Sequence, residues 1–191
     1  MRPYIMYVSP VGDDLTENPS EMYLRRILER DSSYWHDRTG NGFGALEYIA
    51  IDDESPDGFV RDHLSLTKDD KAGVFLSLSV CMDDDELFAT HYAINETQPR
   101  DQWIDLHHAG EPYALPAILF HPIERIAAAA AEFCSLEYRA LNSLPPSLNW
   151  IDDDAFELNT SERTFNSLTI QACNHNYGEP DDARESPSKA H

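Results

Sequence analysis

The chain has 191 residues with 35 Asp and Glu against 14 Lys and Arg, so that its formal net charge is −21 at pH 7. A surface of this charge repels nucleic acid and anionic lipid and attracts basic proteins over long distances. Hydrophobic residues make up 41% of the chain, which is enough to bury one core, and no apolar run approaches the roughly 20 residues of a membrane span. Because acidic charge also serves solubility, it does not identify a partner by itself.

The acidic residues occur in short runs between apolar segments. Such runs are typical of turns, where charged side chains are free to meet a partner. We predict that two of these turns contact a basic partner protein, and that they lie at the same end of a sheet. Their residues are Asp52 and Asp53 in the first, and Asp83, Asp84, Asp85 and Glu86 in the second.

The first elements in chain order are a strand and a helix. The apolar run of residues 1–8 predicts a strand, because it is too short for a signal peptide, and we therefore expect a cytoplasmic protein. Asn18 is the predicted helix cap, with Pro19 in the first turn and Glu21 completing a capping box. The apolar face of this helix comprises Tyr23, Leu24, Ile27 and Leu28.

Residues 45–94 have the pattern of an antiparallel meander. Strands are predicted over 45–51, 64–66 and 87–94, and the clearest alternation runs from Val74 to Val80. A turn is predicted at residues 68–71. Short polar turns between strands indicate antiparallel neighbours, with one face of the sheet to be covered.

A second helix is predicted to cover that face. It begins with His121 as a candidate cap and Pro122 at the first helical position, and it extends to about Arg139. Its apolar stripe comprises Ile123, Ile126, Ala127, Ala130, Phe133 and Cys134. The sequence thus predicts an α+β fold in one domain over 1–173, in which the meander packs against an N-terminal and a C-terminal helix. Residues 174–191 are predicted to be a disordered acidic tail.

Recognised catalytic and metal-binding motifs are absent from the sequence, so we expect neither an enzyme nor a cofactor or metal site. The adjacent His107 and His108 are assigned to a solvated loop. Cys81, Cys134 and Cys173 are expected to be reduced, with Cys134 on an apolar helix face.

Trp150 is predicted to plug the core. Trp103, between Asp101 and Asp105, fits both a core position and a partner interface, and we include it among the candidate partner-binding residues.

The segment from Leu115 to Trp150 resembles a known signature. Its parts are Leu115-Pro116-Ala117-Ile118, a helix with Ala130 and Phe133, and then Pro145-Pro146 followed by Leu148-Asn149-Trp150. This order resembles the C-terminal half of family one of the immunity proteins of bacterial polymorphic toxin systems. The helix start at Asn18-Pro19-Ser20 and the meander are similar to that family's N-terminal half, so the likeness covers about residues 16–151. The chain departs from the pattern in a longer link before Trp150 and in its acidic C-terminal extension.

The resemblance implies an α+β domain that binds and neutralises a co-produced toxin, frequently a nucleic-acid deaminase or another nucleic-acid-directed enzyme. It implies no catalytic residues and no cofactor, and it makes a basic toxin protein the expected partner. Two alternatives stay open at this point. One is a small acidic hydrolase that uses paired carboxylates, and the other is a general acidic scaffold or nucleic-acid mimic without a dedicated toxin.

Overall fold

The structure is a computed structural model that describes most of the chain up to residue 167. The described residues are 4–10, 15–37, 40–41, 43–50, 59–82, 87–108, 111–135, 144–153, 156–159 and 163–167. The helices are α1 (Glu21–Leu28), α2 (Ser32–Trp35) and α3 (Ile123–Phe133), with a 3-10 turn at Ala117–Leu119. The strands are β1 (Tyr4–Val8), β2 (Leu15–Glu17), β3 (His36–Asp37), β4 (Gly40–Asn41), β5 (Gly44–Ala50), β6 (Phe59–Asp69), β7 (Gly73–Met82), β8 (Leu87–Ile94), β9 (Trp103–His108), β10 (Glu111–Pro116), β11 (Phe120–His121), β12 (Asn149–Asp152), β13 (Phe156–Asn159) and β14 (Thr164–Ser167).

The predicted α+β fold is confirmed. One eight-stranded antiparallel sheet has the order β12-β8-β7-β6-β5-β1-β2, and β11 pairs with Val74 and Phe75 of β7, beyond the residues that pair with β8. The predicted meander β5 to β8 is its centre, and the predicted first strand is β1. The sheet is wider than predicted, because β1 and β2 extend one side and β12 the other. Among the described residues, separate two-stranded sheets are formed by β3–β4, β9–β10 and β13–β14.

The helices cover one face of the sheet, which we call the helix face. Its strand residues follow strict alternation, as in Val74, Leu76 and Leu78 of β7, all with no exposed surface. Helices α1 and α3 contact one another and contribute Leu24 and Phe133 to the same core. Trp150 is the predicted plug: it is buried, and its indole Nε1 donates to the carbonyl of Pro145 at 2.9 Å.

The cap of α1 is Ser20 and not Asn18, so this prediction was wrong. The Ser20 hydroxyl accepts a hydrogen bond from the backbone N–H of Tyr23 at 3.2 Å. Asn18 has a φ of +46°, a left-handed conformation that asparagine tolerates better than most residues. Its side-chain Oδ1 accepts from the N–H of Ile5, and its own N–H donates to the Ile5 carbonyl. Asn18 therefore ties the chain to β1, and the helix begins three residues later.

The ends of α3 also differ from the prediction. His121 is buried in β11, where it pairs with Val74, and Pro122 occupies the cap position without a side-chain hydrogen bond. The helix ends at Phe133, with Cys134 half-buried at its C-cap, and not near Arg139, which lies outside the described residues. The close approach of β7 to β11 requires glycine at position 73. Its φ is +103°, and a Cβ there would lie 2.3 Å from the His121 carbonyl oxygen.

Strand β6 is eleven residues long, where the sequence predicted three. Because β6 lies between β5 and β7, both of its edges are paired, and the strand therefore includes polar residues as well as apolar ones. Its last two residues, Lys68 and Asp69, lie where a turn was predicted. Lys68 is buried and donates from Nζ to the carbonyl of Arg30 at 2.5 Å, after the end of α1, where cations are favoured.

The opposite face of the sheet, which we call the hairpin face, carries a second core that was not predicted. The β9–β10 hairpin and the 3-10 turn cover one part of it. The core consists of Phe75, Ile94, Leu106, Leu115, Ile118, Leu119, Phe120 and Ile151. This hairpin includes His107 and His108, which the sequence had assigned to a loop. The sheet is therefore packed on both faces, but over only part of the second.

Among the described residues, the helices are all too short or too polar to span a membrane.

Candidate functional site

The six acidic residues predicted to contact a partner lie outside the described residues: Asp52, Asp53, Asp83, Asp84, Asp85 and Glu86. The strands that flank them are described. Strand β5 ends at Ala50 and β6 begins at Phe59, while β7 ends at Met82 and β8 begins at Leu87. Because direction alternates along an antiparallel meander, these four strand ends lie at one end of the sheet.

Trp103 opens β9, opposite Pro116 of β10. Alternation puts Ile104 and Leu106 on the side that packs against the sheet, so Trp103, Asp105 and His107 face away from it. We call these three residues the Trp103 surface. Trp103 is half-buried, whereas Asp105, His107 and the neighbouring Asp101 are exposed.

The structure does not bring Trp103 next to the ends of the strands that flank the acidic runs. The hairpin packs against Phe75 and Ile94. These residues lie toward the opposite ends of β7 and β8 from Met82 and Leu87. Trp103 and these strand ends therefore lie in two different regions of the sheet.

An arginine is bound at the Trp103 surface. The guanidinium Nη2 of Arg163, in the turn between β13 and β14, lies 2.6 Å from Oδ1 of Asp105. Both side chains are more than half exposed, at 52% and 65%. Arg163 has a φ of +53°, in the left-handed region that residues other than glycine rarely adopt. Sequence reasoning missed this contact, because the two residues are 58 positions apart and nothing local links them.

A second group that the sequence did not reveal is a polar row on the hairpin face. Glu47, His63, Ser79 and Thr90 are register partners on the four neighbouring strands β5 to β8. His63 Nδ1 lies 3.4 Å from Oε1 of Glu47, and the hydroxyls of Ser79 and Thr90 are 3.2 Å apart. All four residues are half-buried. The alternation of Ser77 and Ser79 with apolar residues was the available signal that this face is polar.

The polar row has an acid, a base and a hydroxyl on adjacent strands, which raises the question of nucleophilic catalysis. A nucleophilic serine needs a base as its hydrogen-bond partner and backbone N–H groups aimed at the developing oxyanion. The Ser79 hydroxyl is bonded to Thr90, which is no base, and at His63 and Ser79 the strands β6 and β7 are paired with a neighbouring strand on both sides. The described row therefore does not have the base-to-serine hydrogen bond of a nucleophilic serine site.

Acidic groups border the polar row at the β12 edge of the sheet. Burial, together with a hydrogen bond to the Asp153 carboxylate, raises the pKa of Tyr92 to about 12, so this hydroxyl stays neutral and donates.

On the helix face, Asp152 Oδ1 lies 2.6 Å from Nδ1 of the buried His91. Within the part of the chain that is described, His, Cys, Asp and Glu side chains form no group of three or more suited to a metal ion.

Comparison of the chain with protein-family models, curated proteins and solved structures gives no match.

Proposed function

We propose that this protein is a cytoplasmic immunity protein that binds and neutralises a basic bacterial toxin, one that acts on nucleic acid as a deaminase or nuclease. The observation that carries the proposal is the Trp103 surface, where a half-buried tryptophan stands among the exposed Asp101 and Asp105. Tryptophan is the residue most enriched at the energetic centres of protein interfaces, and surrounding acids select a basic partner. The resemblance to immunity family one agrees with this role.

Charge supports the same kind of partner. A nucleic-acid-directed enzyme is basic around its active-site groove, because the groove binds phosphates. A chain with a net charge of −21 attracts such a groove from a distance and orients against it. In this proposal the acidic runs at 52–53 and 83–86 accelerate association, while Trp103 supplies affinity after contact. Steering acts at long range and an anchor acts only at the interface, so the acidic runs and Trp103 need not be neighbours.

The alternative of a small acidic hydrolase with paired carboxylates has less support. The described polar row contains one carboxylate, Glu47, beside His63, and not the pair of carboxylates that this chemistry needs. A binding face needs only polar groups that are within reach of a partner, which the row provides.

The first experiment is co-expression with the protein encoded immediately upstream, followed by purification through a tag on one partner. We expect a stoichiometric complex and loss of the toxin's activity on nucleic acid when the immunity protein is present. Absence of a complex under low-salt conditions, with both proteins folded, would contradict the proposal. Turnover of a small substrate by the isolated protein would instead favour the hydrolase.

Kinetics then test the role of the acidic runs. Replacing Asp83, Asp84, Asp85 and Glu86 with Asn or Gln should slow association and weaken its salt dependence, with a smaller change in dissociation. The matched control replaces Glu179, Asp181, Asp182 and Glu185, which removes the same number of charges from the C-terminal segment. Equal effects of the two variants would show that only net charge matters. Association that is independent of salt would show that the charge serves solubility.

A further inference from the structure

The contact between Asp105 and Arg163 indicates what chemistry the Trp103 surface accepts. A guanidinium group of the chain itself is already seated on the Asp105 carboxylate, with 2.6 Å between Nη2 and Oδ1. A carboxylate next to an aromatic ring is a favourable site for arginine, whose planar cation binds carboxylates and stacks on rings. We propose that Arg163 is an internal substitute for a partner's arginine, which displaces it from Asp105 and packs against Trp103 when the complex forms. This inference rests on the proposed function, because it names the chemical group of the toxin that the same surface binds.

The internal contact is suited to exchange. Both partners are more than half exposed, and ion pairs in that setting are screened by water and contribute little. Arg163 also holds a left-handed backbone conformation, with a φ of +53°, which is unfavourable for a residue with a side chain. A partner arginine that is desolvated against Trp103 therefore replaces a weak contact with a stronger one.

The inferred exchange makes Arg163 a competitor, and this sets it apart from a purely structural residue. If Arg163 stabilised the binding surface, its removal would weaken partner binding. As a competitor, its removal strengthens binding, because Asp105 becomes available without displacement. The effect requires the Asp105 carboxylate, so it disappears in a variant that lacks this group.

The test uses a hexa-arginine peptide as the probe and the full chain as the protein. Binding at low salt is followed by the indole N–H resonance of Trp103, assigned by its loss in Trp103→Phe. Arg163→Asn removes the cation and keeps a residue that tolerates a positive φ. The matched control is Arg26→Gln, which removes one positive charge from an exposed position on α1.

We expect Arg163→Asn to lower the dissociation constant of the peptide about threefold, the size of an exposed ion pair, and Arg26→Gln to change it less. Asp105→Asn and the double variant Asp105→Asn, Arg163→Asn should bind the peptide equally. Equal effects of Arg163→Asn and Arg26→Gln, or weaker binding by Arg163→Asn, would overturn the inference.

The same variants are then measured with the co-purified toxin. If the toxin binds and Arg163→Asn does not differ from Arg26→Gln, the inference fails while the proposed function stands. If no toxin forms a complex, the proposed function fails, and the peptide titration alone decides whether the Trp103 surface accepts arginine.

Discussion

The two faces of the central sheet are covered in different ways. On the helix face, α1 and α3 lie over an apolar core that runs across the strands from Ile5 in β1 to Trp150 in β12. On the hairpin face, the β9–β10 hairpin covers one part, and the row from Glu47 to Thr90 remains polar and half-buried. The first face meets the requirements of stability, because buried apolar area is the main favourable term in folding. In the proposed function, the hairpin that covers part of the second face presents the Trp103 surface to a partner.

The largest expected effect is a loss of stability in the core of the helix face. Phe133 has no exposed surface and lies where α3 meets the sheet core. Phe133→Ala should lower the free energy of unfolding by roughly 3–5 kcal/mol, since it removes buried contacts and leaves a cavity. Urea denaturation measures this change. The control Ala128→Gln, at an exposed position of the same helix, should stay within about 0.5 kcal/mol, and unchanged stability of Phe133→Ala would refute the assignment of this face.

The next largest expected effect is the pH dependence of the unfolding free energy that comes from His121 in β11. Burial lowers the pKa of His121 to about 4 from an ordinary value of 6.5, with a smaller contribution from Arg125. The unfolded chain therefore binds a proton near pH 6.5 that the folded chain takes up only near pH 4. His121 should stabilise the fold fully above pH 6.5 and lose about 3 kcal/mol of this contribution as pH falls to 4.

Denaturation of the wild type and of His121→Asn at several pH values isolates this contribution. Other carboxyl groups titrate in both proteins, so the difference between the two curves belongs to His121. The stability of the wild type should fall more steeply than that of the variant between pH 6.5 and 4. Parallel curves would show that the imidazole is not buried in the neutral form.

A smaller effect on stability is expected at the Trp103 surface. Asp105→Asn removes an exposed ion pair and should change the free energy of unfolding by less than about 1 kcal/mol. The same substitution should weaken the toxin complex, because a partner cation then loses its carboxylate. A loss of stability as large as that of Phe133→Ala would mean that the Asp105 contact is needed for folding and would contradict the assignment of the Trp103 surface to binding.

The smallest effect is expected at the C-terminus. Deleting the residues after Asn174 should leave both the unfolding free energy and toxin binding nearly unchanged, since this polar segment has few apolar residues to bury. Thermal denaturation and the dissociation constant of the complex measure the two quantities. Loss of binding upon deletion would place the predicted tail in the interface and move the domain boundary.

The sequence predicted the helix face well, because apolar periodicity encodes it directly. The alternation from Val74 to Val80 predicted β7, and the spacing of Ile126, Ala130 and Phe133 predicted the buried stripe of α3. The caps were harder to place. Asn18 and Ser20 are both good cap residues, and the choice between them depends on the hydrogen bonds of Asn18 with β1, which is distant in sequence.

The hairpin face could be predicted only in part. The second core joins residues from β7, β8, the β9–β10 hairpin and β12. No local periodicity in the sequence predicts that a later hairpin packs over earlier strands. The polar row depends on the register of four strands, and the Asp105–Arg163 contact depends on two hairpins coming together. Helix α2 has only four residues, too few for a periodic pattern, and its start is fixed by Asp31, which accepts from the N–H of Ser33.

The most direct test of the functional assignment is the dissociation constant of the toxin complex for Trp103→Ala, measured together with the unfolding free energy of the variant. We expect at least about 30-fold weaker binding, equivalent to about 2 kcal/mol, in a protein that still unfolds cooperatively. Met22→Ala, at an exposed apolar residue of α1 on the other side of the sheet, serves as the control and should bind normally. A folded Trp103→Ala variant with unchanged affinity would contradict the claim that the hairpin presents the partner-binding surface.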